Sequence, residues 1–125
     1  MQLTDRRVVI TGGAGLIGSH LATRLAPDNE VIVADDLSKG RADRVPDGAE
    51  LVVADATDPG DVADAVTADT DLVFHLAAYT DTNYAEPRRM FEENTAMTYT
   101  VLQRADEVGV DGVAFTSSST VYGEA

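Results

Sequence analysis

A β-branched strand that runs into glycine and straight out into a helix leaves a chain few ways to fold. Here Arg7-Val8-Val9-Ile10 reads as a short buried strand. Thr11-Gly12-Gly13-Ala14-Gly15-Leu16-Ile17-Gly18 follows, and His20-Leu21-Ala22-Thr23-Arg24-Leu25-Ala26 reads as a helix. Strand, glycine-rich turn and helix, in that order, make the opening unit of a parallel sheet that holds a dinucleotide. The glycines have separate tasks. Gly12 and Gly13 allow a tight turn with backbone angles that other residues avoid. Gly15 puts no side chain between the backbone and a pyrophosphate, and Gly18 lets the helix pack close on the strand. The helix N-terminus then offers free N–H groups and a partial positive charge to phosphates.

A Gly-x-Gly-x-x-Gly turn alone also fits a βα connection that binds nothing. The context decides between the two. The second strand, Glu30-Val31-Ile32-Val33-Ala34, ends in Asp35, 20 residues after Gly15. A carboxylate there accepts hydrogen bonds from both hydroxyls of an adenosine ribose and repels a 2′-phosphate, which favours NAD over NADP. Asp36 adds a second carboxylate beside it, although one suffices.

Charge narrows the function classes. Twenty-two acids face nine bases, for a net charge of −13, and Lys39 is the only lysine. Nucleic acid and anionic membrane both call for a basic surface, so neither is an expected partner. Self-repulsion should weaken the fold at low ionic strength, and molar salt should relieve it. Such an acidic, lysine-poor surface is similar to that of proteins from salt-loving microbes. The chain has no cysteine, so a disulfide framework and a thiolate metal site are both out, and no metal is expected. The sequence shows no apolar run of membrane-spanning length and no leader-like start, which fits a cytoplasmic protein.

The remaining segments extend the pattern. Asp36-Leu37-Ser38-Lys39-Gly40 lies where the adenosine end of a cofactor sits, with Ser38, Lys39 and Gly40 placed to close over the ribose. Arg41 to Arg44 reads as a solvated loop, and Pro46-Asp47-Gly48 as a turn. Glu50 to Ala54 is the third strand, and Asp55-Ala56 at its exit faces the adenine. Asp58-Pro59 opens a helix that should reach about Ala68. Asp71 to Ala78 is the fourth strand and its exit. The small residues of Leu76-Ala77-Ala78 suit the flat nicotinamide-ribose half. His75, inside that strand, reads as a core histidine with a satisfied partner, and His20 as structural. Tyr79 to Ala85 is a polar loop. Glu86-Pro87 opens a long helix whose buried stripe is Met90, Asn94, Met97, Val101, Leu102 and Ala105. An amide in that stripe must find partners, so Asn94 points to the cofactor loops. Gly112 to Thr116 is the fifth strand. Its exit, Ser117-Ser118-Ser119-Thr120, suits a substrate oxygen or a plain polar loop about equally. The fold class is α/β, a Rossmann-type doubly wound parallel sheet of order 3-2-1-4-5, truncated after the fifth strand.

Taken together, Thr11-Gly12-x-x-Gly15-x-x-Gly18, Asp35-Asp36-Leu37-Ser38, Asp55-Ala56, His75-Leu76-Ala77-Ala78, Asn94-Thr95 and Ser117 to Gly123 resemble the extended short-chain dehydrogenase/reductases. Within them the chain is similar to the nucleotide-sugar epimerases and dehydratases of the UDP-glucose 4-epimerase type. The resemblance covers the whole chain. It implies NAD as cofactor, a UDP-sugar as substrate and a homodimer. Leu16 and Ile17 would meet the pyrophosphate through their backbones, Asp35 to Gly40 the adenosine ribose, and Asp55 and Ala56 the adenine. Leu76, Ala77, Ala78, Thr80, Asn94 and Ser117 would line the nicotinamide side. Ser118 would be the catalytic hydroxyl on the sugar 4-oxygen. Such enzymes move a hydride from sugar C4 to NAD and return it to the other face.

Three departures qualify the resemblance. The lysine that some epimerases carry near Thr80 is missing. The Asp-Glu that follows the catalytic hydroxyl in 4,6-dehydratases is Ser119-Thr120 here, which weighs toward epimerase. The family's catalytic Tyr-x-x-x-Lys is absent: Tyr79, Tyr84 and Tyr99 are followed four residues on by Asn83, Arg88 and Gln103. The expectation is the NAD-binding N-terminal portion, residues 1–125, of a longer epimerase, able to bind NAD but not to turn over sugar. The rivals are a dehydratase, decarboxylase or reductase of nucleotide sugars, or a dinucleotide-sensing domain.

Overall fold

The computed structural model describes residues 3–77 and 87–115. Five parallel strands, β1 (Arg7–Thr11), β2 (Glu30–Asp35), β3 (Ala49–Val53), β4 (Leu72–His75) and β5 (Gly112–Phe115), pair in the order β3-β2-β1-β4-β5. This is the expected order, and its register is regular: Val9 sits opposite Ile32 on one side and Val73 on the other. Three helices cover the sheet: α1 (Leu16–Leu25), α2 (Pro59–Ala65) and α3 (Pro87–Val108).

Alternation along the strands builds two cores. On one face Val8, Ile10, Val31 and Val33 pack with Ala14 and Ala22 of the α1 unit. On the other face Val9, Ile32 and Val73 pack with Val62, Ala65 and Val66 around α2 and with Val101 of α3. Burial on both faces is why these strands read as continuous apolar runs rather than as polar–apolar alternations. Each fully buried Val or Ile contributes roughly 1.5–3 kcal/mol of transfer free energy. The two strands that carry the glycine turn and Asp35 toward the site, β1 and β2, therefore rest on the best-buried part of the molecule.

Two expectations need correction. The second helix ends at Ala65, short of Ala68, because Val66 is already extended at φ −97°, ψ 93°. The next residues form a turn instead, in which Thr67 N–H donates to Thr70 Oγ1 at 3.0 Å and Thr70 N–H to the Thr67 carbonyl. On α3, Met97, Val101 and Ala105 are buried, whereas Leu102 is 40% exposed. One residue on from Val101 is about 100° around the helix, which turns Leu102 away from the face packed on α2 and β4. Met90 and Asn94 are half-buried. The helix stops at Gly109, whose φ of +74° suits glycine and reverses the chain into β5.

Candidate functional site

The site lies beyond the carboxyl ends of β1, β2, β3 and β4, where a parallel sheet leaves a crevice. Its centre is the turn after β1. Gly12 has φ +69°, and a Cβ there would lie 2.8 Å from the Ala77 backbone nitrogen. The angle and the close approach both require glycine. Gly13 differs from expectation, since it has no positive φ. A side chain there would strike Val33 of β2 at 2.8 Å, so packing rather than backbone freedom selects it. Gly18 also acts on a different neighbour than expected. Its missing Cβ would fall 2.5 Å from the Gly12 carbonyl oxygen and 2.6 Å from Gly13 Cα, so α1 closes on the turn itself. At Gly15 such a Cβ would meet a single atom within 4 Å, the Gly12 carbonyl oxygen at 3.3 Å.

Gly15 is also the N-cap of α1, and no side chain caps the helix there. Its first turn carries no acid. At α2, by contrast, Asp58 caps the helix through Gly60 N–H at 2.9 Å. A long helix start without a side-chain cap or an acid, opening on a cleft, offers its N–H groups and dipole to an anion. Leu16 and Ile17 are 65% and 73% exposed.

Across the turn, Asp35 is 8% exposed. Its Oδ2 accepts the Ala14 N–H at 3.0 Å and its Oδ1 accepts the Leu37 N–H at 2.7 Å. These two bonds fix the carboxylate against the glycine turn and leave lone pairs for further donors, since a carboxylate has about four acceptor sites. Gly40 lies directly over it: a Cβ at Gly40 would be 2.7 Å from Asp35 Oδ2. The Arg41 N–H donates to the Ala14 carbonyl at 3.0 Å and ties the following loop to the same turn. Leu37, at φ +65°, makes the sharp exit from β2. Asp36 is exposed, and its Oδ1 accepts from Ser38 N–H and Oγ at 2.9 and 2.8 Å. Asp55 Oδ1 accepts from Thr57 N–H and Oγ1 at 2.9 and 2.7 Å, and Asp55 N–H donates to Asp61.

These parts border a cleft of about 300 Å³. Of the expected cofactor residues, Gly12, Gly15, Leu16, Asp35, Asp36, Ser38, Lys39, Gly40, Asp55, Ala56, Leu76 and Ala77 line it. Ile17, Gly18, Leu37 and Asn94 do not. Gly18 is buried under the turn, Leu37 packs in the α1-side core, and Asn94 is half-buried on α3. Ala78, Thr80, Ser117 and Ser118 lie outside the described residues, as do Tyr79, Tyr84 and Tyr122. His75 is 6% exposed and sits between two threonines, and burial lowers its pKa to about 4. His20 is exposed on α1.

The cleft also takes residues that the sequence did not mark. Val62, Ala65 and Val66 with Met97 give it an apolar side. They carry the same apolar periodicity as core positions, and no local signal separates the two. Arg44, expected on a solvated loop, lines the cleft from the short turn Ala42–Arg44. The flat apolar part suits a base, the open helix start suits a pyrophosphate, and Asp35 suits a ribose diol, so these residues fit a dinucleotide. Among the described residues no group of three or more metal-binding side chains forms.

Comparison with known proteins agrees with this geometry. A family model described as NAD dependent epimerase/dehydratase matches residues 8–125. A UDP-glucose 4-epimerase from Azospirillum brasilense is 35% identical over 122 residues, which are 94% of this chain and 35% of that protein. A crystal structure of a UDP-galactose 4-epimerase superposes with a TM-score of 0.85 at 46% identity, over 95% of this chain and 40% of that one. The UDP-glucose 4-epimerase of Thermus thermophilus, solved as a complex with NAD, superposes with a TM-score of 0.81 at 34% identity, over 90% of this chain and 37% of that one. The chain thus spans well under half the length of these relatives.

Proposed function

The chain belongs to the NAD dependent epimerase/dehydratase family, and on that premise we propose that residues 1–125 are the NAD-binding portion of a longer nucleotide-sugar 4-epimerase. The observation that carries the reading is the pairing of the open α1 start with Asp35 across one cleft. The N–H groups of the first turn of α1 hold the pyrophosphate. Asp35, already oriented by Ala14 and Leu37, takes the ribose hydroxyls and disfavours a 2′-phosphate. Asp55 and Ala56 border the adenine, with the apolar side of the cleft beneath it. Leu76 and Ala77 form the backbone wall toward the nicotinamide. NAD, when bound, supplies the hydride acceptor and donor for the sugar C4. Ser118 holds the sugar 4-oxygen, and the substrate is a UDP-sugar, as the relatives' names support. The tyrosine base and its lysine belong to the part of the enzyme that these residues do not include.

The setting is inferred in the same way. The acid excess and single lysine support a salt-rich cytoplasm. The exposed Phe91, Tyr99 and Leu102 on α3 support a homodimer. The test is calorimetric titration with NAD in molar KCl, with NADP alongside. NAD should saturate one site, NADP should bind far more weakly, and Asp35→Asn should narrow the gap between them. A folded wild-type chain that binds neither dinucleotide, or prefers NADP, refutes the assignment.

A further inference from the structure

Three side chains connect α3, β4 and β1 through the interior. Thr11 and His75 are register partners on β1 and β4. His75 Nδ1 lies 2.7 Å from Thr11 Oγ1, and its Nε2 lies 3.3 Å from Thr98 Oγ1. Thr11 Oγ1 also accepts the Ala77 N–H at 3.2 Å, and it shares the Leu76 N–H, at 3.1 Å, with the Thr11 carbonyl oxygen at 3.0 Å. A hydroxyl has two lone pairs and one hydrogen. Both lone pairs are taken, so the Thr11 hydrogen goes to His75 Nδ1. That nitrogen is bare, and the ring proton sits on Nε2 and points at Thr98 Oγ1. The Thr98 hydroxyl in turn donates to the Asn94 carbonyl at 3.1 Å. The bonds therefore run in one direction, from the β4 exit to the backbone of α3.

Leu76 and Ala77 are the first residues past β4, and both line the cleft. Gly12 of the glycine turn lies against their backbone. The distance between the pyrophosphate turn and the nicotinamide wall is thus set at the atoms that Thr11 holds. We propose that His75, held between Thr11 and Thr98, is a positioning residue that fixes the Leu76–Ala77 backbone for the nicotinamide half of the dinucleotide. The proposal rests on the cofactor reading above. His75 does not line the cleft, whereas Thr11 does, so His75 acts through Thr11.

NAD and ADP-ribose, titrated into this chain, test it, because ADP-ribose has the adenosine and pyrophosphate but no nicotinamide. Thr11→Val removes the hydroxyl and keeps the shape. It should weaken NAD about five- to tenfold, the loss expected for one hydrogen bond, and ADP-ribose less than about twofold. Thr11→Ser should restore NAD binding. His75→Asn, whose Oδ1 can take the Thr11 hydrogen, should bind NAD better than His75→Leu. Equal losses for both ligands would mean a structural role alone and overturn the proposal. Nitrogen NMR of the wild-type imidazole adds a readout that survives an unfolded variant. A bare Nδ1 and a protonated Nε2 are expected, and an Nδ1–H tautomer refutes the relay whatever the ligands do. If wild type binds neither ligand, the cofactor reading fails and this proposal falls with it. If wild type binds both and the variants lose both equally, the positioning role alone fails.

Discussion

Acid should destabilise this chain through His75 before most of its carboxylates titrate. Burial lowers the ring's pKa to about 4 from an ordinary 6.5. As the pH falls through 6.5 the unfolded chain takes up a proton that the folded chain refuses until about 4. The stability tied to the neutral ring is therefore fully present above pH 6.5 and lost progressively on the way down. Two and a half pH units, at about 1.4 kcal/mol each, make about 3 kcal/mol, of which about 2 is gone by pH 5. Against roughly 5–15 kcal/mol for an ordinary domain, that is a large share. The excess of acids works the other way, since protonating them relieves self-repulsion. A comparison with His75→Asn cancels that contribution. Urea unfolding of both chains at pH 7.5, 6 and 5, in fixed KCl, should show wild type losing stability faster than the variant. Parallel curves, or an imidazole that titrates near 6.5 by NMR, refute the reasoning.

Two further outcomes follow from the packing. Gly18→Ala puts a methyl group within 2.5 Å of the Gly12 carbonyl oxygen, and backbone cannot yield as a side chain would. We expect about 1–3 kcal/mol of lost stability in urea melts, together with weaker NAD binding by calorimetry as α1 moves off the turn. Asp58→Ala removes the cap of α2 and should cost about 1 kcal/mol by the same melts, with NAD affinity unchanged. A Gly18→Ala chain as stable as wild type would contradict the close contact, and a neutral Asp58→Ala would contradict the cap.

Some of this protein was determined by sequence alone. Local signals carried the order of elements: β-branched runs, the Asp58-Pro59 start and the glycine stops. The glycine turn, with Asp35 at the next strand end, carried the sheet order and the place of the cleft, because both depend on chain-neighbour geometry. Other features waited on the tertiary structure. Met97 and Val66 have the same periodicity as core positions, and only the distance left between α2, α3 and the strand ends makes them border a cleft. Leu102 fell outside its predicted stripe because the surface packed on α3 reaches Val101 but not the residue about 100° further round the helix. Arg44 reached the cleft because Arg41 is tied back to Ala14. His75 was legible as a satisfied core histidine, but not the identity of its partners. Thr11 and His75 are 64 residues apart, and only the β1–β4 register brings them together. Chain-local chemistry is written in the sequence, whereas contacts between distant segments exist only once the sheet has set their spacing.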